Sequence, residues 1–183
     1  MSLIRAVVVF GPEKESCDLA FASALRRPWL SPMMKRIERE ILIDAPPEVV
    51  WGVVTDPEHV AGWFSDSAEI ELRPGGRAIL TWEEHGRVPG RVESVEPPRF
   101  FSFRWISGSG TELREDNTTL VEFTLSAEGD GTRLRVVETG FRDLAGPDDE
   151  KAKTVDGHRD GWVRELDDLR AYVRQRVGTS AGR

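Results

Sequence analysis

Glu138 is the residue of this sequence best placed for acid–base chemistry. Leu134, Val136 and Glu138 alternate along one expected strand and so share a face. With that face inward, the carboxylate meets an apolar interior, where burial raises its pKa and suits it to give or take a proton. With Glu138 at the strand's end, it reaches solvent and is an ordinary surface acid. Both readings stand on the sequence. His158 precedes Trp162 by one helical turn, which places it at the mouth of any pocket there. His59 falls on a short helix and His85 in a hairpin turn, so the histidines are too scattered for a local metal motif. Glu83-Glu84-His85 reads as a solvated turn. Neither a nucleophile-elbow serine nor a dinucleotide fingerprint is present, and Arg73-Pro74-Gly75-Gly76 is a turn between strands rather than a phosphate loop. Asp148-Asp149-Glu150 suits the positive end of a helix. No catalytic residue, metal or cofactor is expected from these patterns.

The aromatic residues have two readings. Trp63, Phe64, Trp82, Phe101, Phe103, Trp105, Phe123, Phe141 and Trp162 are first of all core packing. Alternatively, some of them line a ligand cavity, since pockets are mostly apolar with a few orienting polar groups. The ligand-facing candidates are Trp63, Trp82, Phe103, Trp105, Phe123, Glu138, Phe141, His158 and Trp162. Trp162 is the strongest wall candidate. Gly161 beside it allows close approach, at about 1 kcal/mol of helix stability relative to alanine.

These residues need elements to hold them. Ile37, Arg39, Ile41 and Ile43 alternate as a first strand. Ala45-Pro46-Pro47-Glu48 opens a short helix whose apolar side is Val49, Val50, Val53 and Val54. Asp56-Pro57 starts a second short helix, with Asp56 as N-cap, ending near Trp63-Phe64. Strands are expected at Ala68–Leu72, Arg77–Glu83, Gly90–Glu96, Phe100–Ile106, Thr118–Ser126 and Thr132–Thr139. The short Gly- and Pro-rich links between them favour an antiparallel meander. A long helix then runs from about Asp149 to Val177, with Val155, Trp162, Leu166, Leu169, Val173 and Val177 in one stripe. The class is α+β: a curved antiparallel sheet of about seven strands around a long C-terminal helix, with two short helices after the first strand.

The chain has 183 residues, 31% of them charged and 39% hydrophobic, an ordinary globular composition. The helix-and-strand pattern divides it into an N-terminal extension, 1–33, a domain, 34–177, and a flexible tail, 178–183. The extension is either an appendage or an extra strand from Ile4 to Phe10 with a short helix near Ser16–Leu25, packed on the domain or on a partner subunit; a homodimer is the partner it would serve. Its apolar run is broken by Gly11-Pro12-Glu13-Lys14-Glu15, so it is not a signal peptide. The net charge of −7 argues against nucleic acid and against an anionic membrane surface as partners. With the single cysteine Cys17 and no long apolar run, a cytoplasmic location is expected.

Several pieces, taken in order, resemble one family. They are Ala45-Pro46-Pro47-Glu48-Val49-Val50-Trp51, Thr55-Asp56-Pro57 through Trp63-Phe64, Arg73-Pro74-Gly75-Gly76, Gly90-Arg91-Val92, Val95-Glu96-Pro97-Pro98, Phe101-Ser102-Phe103-Arg104-Trp105, Gly131-Thr132-Arg133-Leu134, Gly140-Phe141 and Gly161-Trp162 with Leu166 and Leu169. Over residues 36–175 the chain is similar to the START/Bet v 1-like (SRPBCC) superfamily, in the branch related to the C-terminal domain of the activator of the Hsp90 ATPase. The resemblance implies a helix-grip fold with a cavity for a small hydrophobic or amphipathic molecule between the sheet and the C-terminal helix. It also admits a polyketide cyclase/aromatase-like or hydrolytic enzyme using Glu138 or His158, and a co-chaperone-like domain that stimulates an ATPase. Without an evident catalytic set, non-catalytic ligand binding is the leading expectation.

Overall fold

The computed structural model describes residues 36–108 and 110–180, with side chains through Arg176. The expectations for 1–33 and for the last residues of the tail lie outside these. The order is β1 (Arg36–Ile43), α1 (Pro47–Thr55), α2 (Pro57–Val60), β2 (Ser67–Ile70), β3 (Arg77–Trp82), β4 (Gly86–Glu96), β5 (Phe100–Ile106), β6 (Thr118–Glu128), β7 (Gly131–Thr139) and α3 (Asp148–Ser180). The strands form one antiparallel sheet of seven, ordered β1-β7-β6-β5-β4-β3-β2. This is the helix-grip fold.

The meander explains the order: each hairpin from β2 to β7 pairs with its sequence neighbour, and β1 closes beside β7 in the register Ile37↔Glu138 and Ile41↔Leu134. A bulge between Val92 and Ser94 shifts the β4–β5 register. Bulges of this kind sharpen the twist that lets a sheet curl. Asp56 caps α2, its side chain accepting the Glu58 N–H at 2.9 Å. The helices α1 and α2 carry Val50, Val53, Val54 and Val60 into the core. From α3, the buried stripe is Val155, Trp162, Leu166, Leu169 and Val173. The expected Val177 lies beyond the described side chains.

Boundaries differ from expectation by up to four residues, with β2 ending at Ile70, α2 at Val60 and β6 at Glu128, and two differences have a bearing on the fold. β4 begins at Gly86 rather than Gly90, running through Pro89. Proline lacks a ladder donor, which argued against strand there. However, β5 pairs with β4 only from Gly90 on, so Pro89 lies where β4 has β3 as its single neighbour. α3 continues to Ser180, past Gly178.

Gly90 marks a close approach within the sheet. A Cβ there would lie 2.6 Å from the Arg104 carbonyl oxygen on β5. Gly90→Ala is expected to destabilise the domain by about 1–3 kcal/mol through overpacking. Urea unfolding should show a lower midpoint with an unchanged m-value.

Candidate functional site

Along β7, Leu134, Val136 and Glu138 do point inward, and the side chain of Glu138 is fully buried. Its register partners explain its surroundings: Val121 on β6 and Ile37 on β1 flank it, and Thr119 and Trp105 lie one step further along β6 and β5. Oε1 accepts from Thr119 Oγ1 at 2.6 Å, from Trp105 Nε1 at 3.0 Å and from His158 Nδ1 at 2.9 Å. Oε2 accepts from Trp162 Nε1 at 2.7 Å and lies 3.1 Å from His158 Nδ1. Thr119 has one hydroxyl proton and gives it to Glu138, so the Ser107 hydroxyl, 2.5 Å away, donates to Thr119. The result is a relay from Ser107 through Thr119 to the carboxylate.

Burial is the largest single influence on Glu138 and raises its pKa. The charge of His158 and the hydrogen bonds from His158, Thr119 and Trp162 act the other way and prevail, leaving the carboxyl below its usual value of 4.5. This corrects the expectation of a raised pKa, which assumed an apolar pocket without donors. A carboxylate offers about four lone-pair sites, and these contacts occupy them. Four donors share the carboxylate, and Trp105 Nε1 divides its proton between Glu138 and Thr119 Oγ1, 2.8 Å away.

His158 is held on both sides. Its ring meets Trp105 edge-on at 5.4 Å and Phe141 at 5.5 Å, and its side chain is only 9% exposed. It therefore faces Glu138 rather than a pocket mouth. Trp162 donates to Glu138 and stacks on Phe64 at 5.5 Å and 16°. Phe64 also contacts Trp63, Trp82 and Trp105, making it the hub of the aromatic cluster. The indole N–H groups of Trp63 and Trp82 are satisfied by the carbonyls of Val53 and Phe64, each at 3.0 Å.

These side chains fill the space beneath α3. A small apolar void lies instead under α1 and α2. It measures about 20 Å³ and is lined wholly by apolar residues, among them Val60, Ala78, Phe101, Phe103 and Phe123, with Trp63 at one side. Of the predicted ligand-facing residues, Trp63, Phe103 and Phe123 meet there. Trp105, Glu138, Phe141, His158 and Trp162 gather in the polar cluster, and Trp82 packs on Phe64.

Two openings lie at the surface. One, of about 380 Å³, separates the turn after α2 from the C-terminal half of α3 and is lined by Trp63, Asp66, Trp82, Asp168 and Tyr172. The other, of about 850 Å³, lies on the outer face of the sheet, where Arg91 pairs with Glu93 and Arg114 with Asp116. Among the described residues no group of three or more His, Cys, Asp or Glu side chains could hold a metal ion, and no helix is long and apolar enough to cross a membrane.

Sequence reasoning missed Thr119, Ser107 and Glu165. Thr119 was detectable, because it alternates with Val121, Phe123 and Leu125 on the inner face. Glu165 is fully buried on α3, three residues after Trp162, and the stripe's spacing alone does not single it out.

Residues 44–174 match the family described as activator of Hsp90 ATPase homolog 1-like protein. The chain belongs to this family. Solved structures agree. A Mesorhizobium loti protein is 22% identical with a TM-score of 0.64, over 77% of this chain and 98% of its own. CalU16 from Micromonospora echinospora is 28% identical with a TM-score of 0.57, over 75% of each chain. A Bacillus halodurans protein is 27% identical with a TM-score of 0.61, over 75% of this chain and 96% of its own. No curated protein matches the sequence at a significant level.

The lowered pKa of Glu138 fixes the sign of a pH effect. A depressed folded-state value contributes stability that is present above about 4.5, the unfolded value, and is lost as pH falls through the folded value. Wild-type stability minus that of Glu138→Gln should therefore shrink as pH falls below about 4.5. Urea midpoints measured from neutral pH down to acid would check it; a difference independent of pH would be the contrary result. His158→Ala should cost on the order of 1–3 kcal/mol by removing a hydrogen-bond donor from the buried carboxylate.

Proposed function

We propose that this domain is a non-catalytic binding module for a small apolar or amphipathic molecule, received between α1–α2 and the sheet. The observation that carries this is the all-apolar void beside Val60, Ala78 and Phe103, under the shortest helix of the domain. At about 20 Å³ it accommodates roughly one water-sized probe, so a ligand enters by displacing side chains rather than by filling a ready space. The saturated hydrogen bonding of Glu138 supports binding over catalysis. A cyclase-like or hydrolytic enzyme needs convergent polar groups within reach of a substrate, whereas Glu138 is fully buried and engaged by Trp105, Thr119, His158 and Trp162.

The filled core favours a second reading, a domain that acts through its surface on a partner ATPase, in keeping with the family's description.

NMR and thermal-shift titration with benzene, toluene and naphthalene distinguish the two. On the binding reading, resonances around Phe103 and Phe123 move in a saturable way. Ala78→Val fills the void, leaves the fold intact and weakens binding at least about tenfold, or ~1.4 kcal/mol. Absence of any response to all three probes would defeat the binding reading, and a pull-down with ATPase assay against the cognate chaperone would then test the other.

A further inference from the structure

Trp63 borders both the apolar void and the 380 Å³ surface groove and is the residue the two linings share. On the groove's far side stands Tyr172 of α3. Its hydroxyl is hydrogen-bonded to His59 Nδ1 at 3.0 Å and accepts from Arg176 at 2.8 Å. Its ring lies so close to Gly62 that a Cβ there would sit 2.4 Å from Cε2. The groove is therefore bounded on one side by Tyr172, whose hydroxyl is held by two partners and whose ring packs against Gly62.

We propose that this groove is the ligand's entrance and polar subsite, with Trp63 as the inner door. The proposal rests on the binding reading above. Trp63 is held closed by the hydrogen bond from its Nε1 to the Val53 carbonyl and by its packing on Phe64. Swinging it outward joins a groove within the usual size range of small-molecule sites to the apolar void behind it. The groove's polar lining sets the ligand class. Asp66 and Asp168 contribute carboxylates, Ser65 and Gln175 contribute neutral groups, and no basic side chain is among the lining residues. Arg176 approaches from outside and is engaged with Tyr172, 5.2 Å from its ring centroid. Asp66 also accepts the Glu83 N–H, which leaves Asp168 as the more adaptable of the two acids. Trp82 and Tyr172 supply aromatic surface in the same groove, which suits a cation or a flat ring. The ligand thus has an apolar ring or chain that passes Trp63 and a neutral or cationic polar end that stays in the groove. An anionic end is disfavoured.

A matched set of probes tests this: 1-naphthylmethylamine, 1-naphthalenemethanol and 1-naphthoate. The amine and the alcohol should bind, and the amine should bind at least about fivefold more tightly than naphthoate at low salt. The indole ¹⁵N–¹H signal of Trp63 should move with occupancy as its bond to Val53 breaks. Asp168→Asn should cut the amine-over-naphthoate preference about two- to fivefold. If the probes bind and Ala78→Val abolishes binding, yet amine and naphthoate bind alike, the entrance assignment is overturned while the binding reading stands. An unmoved Trp63 signal, or an unchanged preference in Asp168→Asn, would overturn it in the same way. If no probe binds, the binding reading itself fails.

Discussion

Sealing a carboxylate inside an apolar core costs several kcal/mol unless donors surround it, and in this domain the donors to Glu138 come from three different elements. Trp105 reaches it from β5, Thr119 from β6, and His158 and Trp162 from α3. An apolar stripe on a helix can slide or rotate against a curved sheet at modest cost. Hydrogen bonds to one carboxylate cannot, because each has a fixed length and direction. The network thereby chooses one axial and one rotational setting of α3 from those that hydrophobic packing would tolerate.

The same choice shapes the interior. Trp162 can reach Glu138 only by lying flat on Phe64, and Phe64 in turn gathers Trp63, Trp82 and Trp105. Large rings then occupy the space beneath α3 that could otherwise have held a ligand. What remains open is displaced toward α1 and α2, where aliphatic residues are smaller and the helices shorter. Polar satisfaction at one end of the grip and the location of the void at the other are thus two results of one arrangement.

Much of the fold was legible because it follows from periodicity. The alternation in β1 and β7, the Pro-Pro-Glu start of α1, the Asp56 cap of α2 and the long stripe of α3 each announce an element by local pattern. The start of β4 was not legible, because Pro89 is a strand breaker everywhere except where one neighbour is missing, and missing neighbours are a property of the assembled sheet. For the site, spacing put Glu138 on one face with Leu134 and Val136 and set His158 one turn before Trp162, but it left open whether that face points inward, and it did not bring the two elements together. The sign of its pKa could not be read either. That sign depends on Thr119 and on the orientations of indole N–H groups, which are decided by register across strands. The aromatic residues illustrate the same boundary: their composition signals a shared interior, yet only packing decides that Trp63, Phe103 and Phe123 border a void while Trp105 and Phe141 enclose His158.

The order in which the donors occur along the chain has a consequence during synthesis. Glu138 leaves the ribosome with Trp105 and Thr119 already made, so a nascent sheet can offer it neutral donors early. The imidazole and the second indole, His158 and Trp162, follow later, on the final helix. That helix therefore brings two of the four donors and the cover of the sheet together, so completing the hydrogen bonding of Glu138 and closing the grip are one and the same contact.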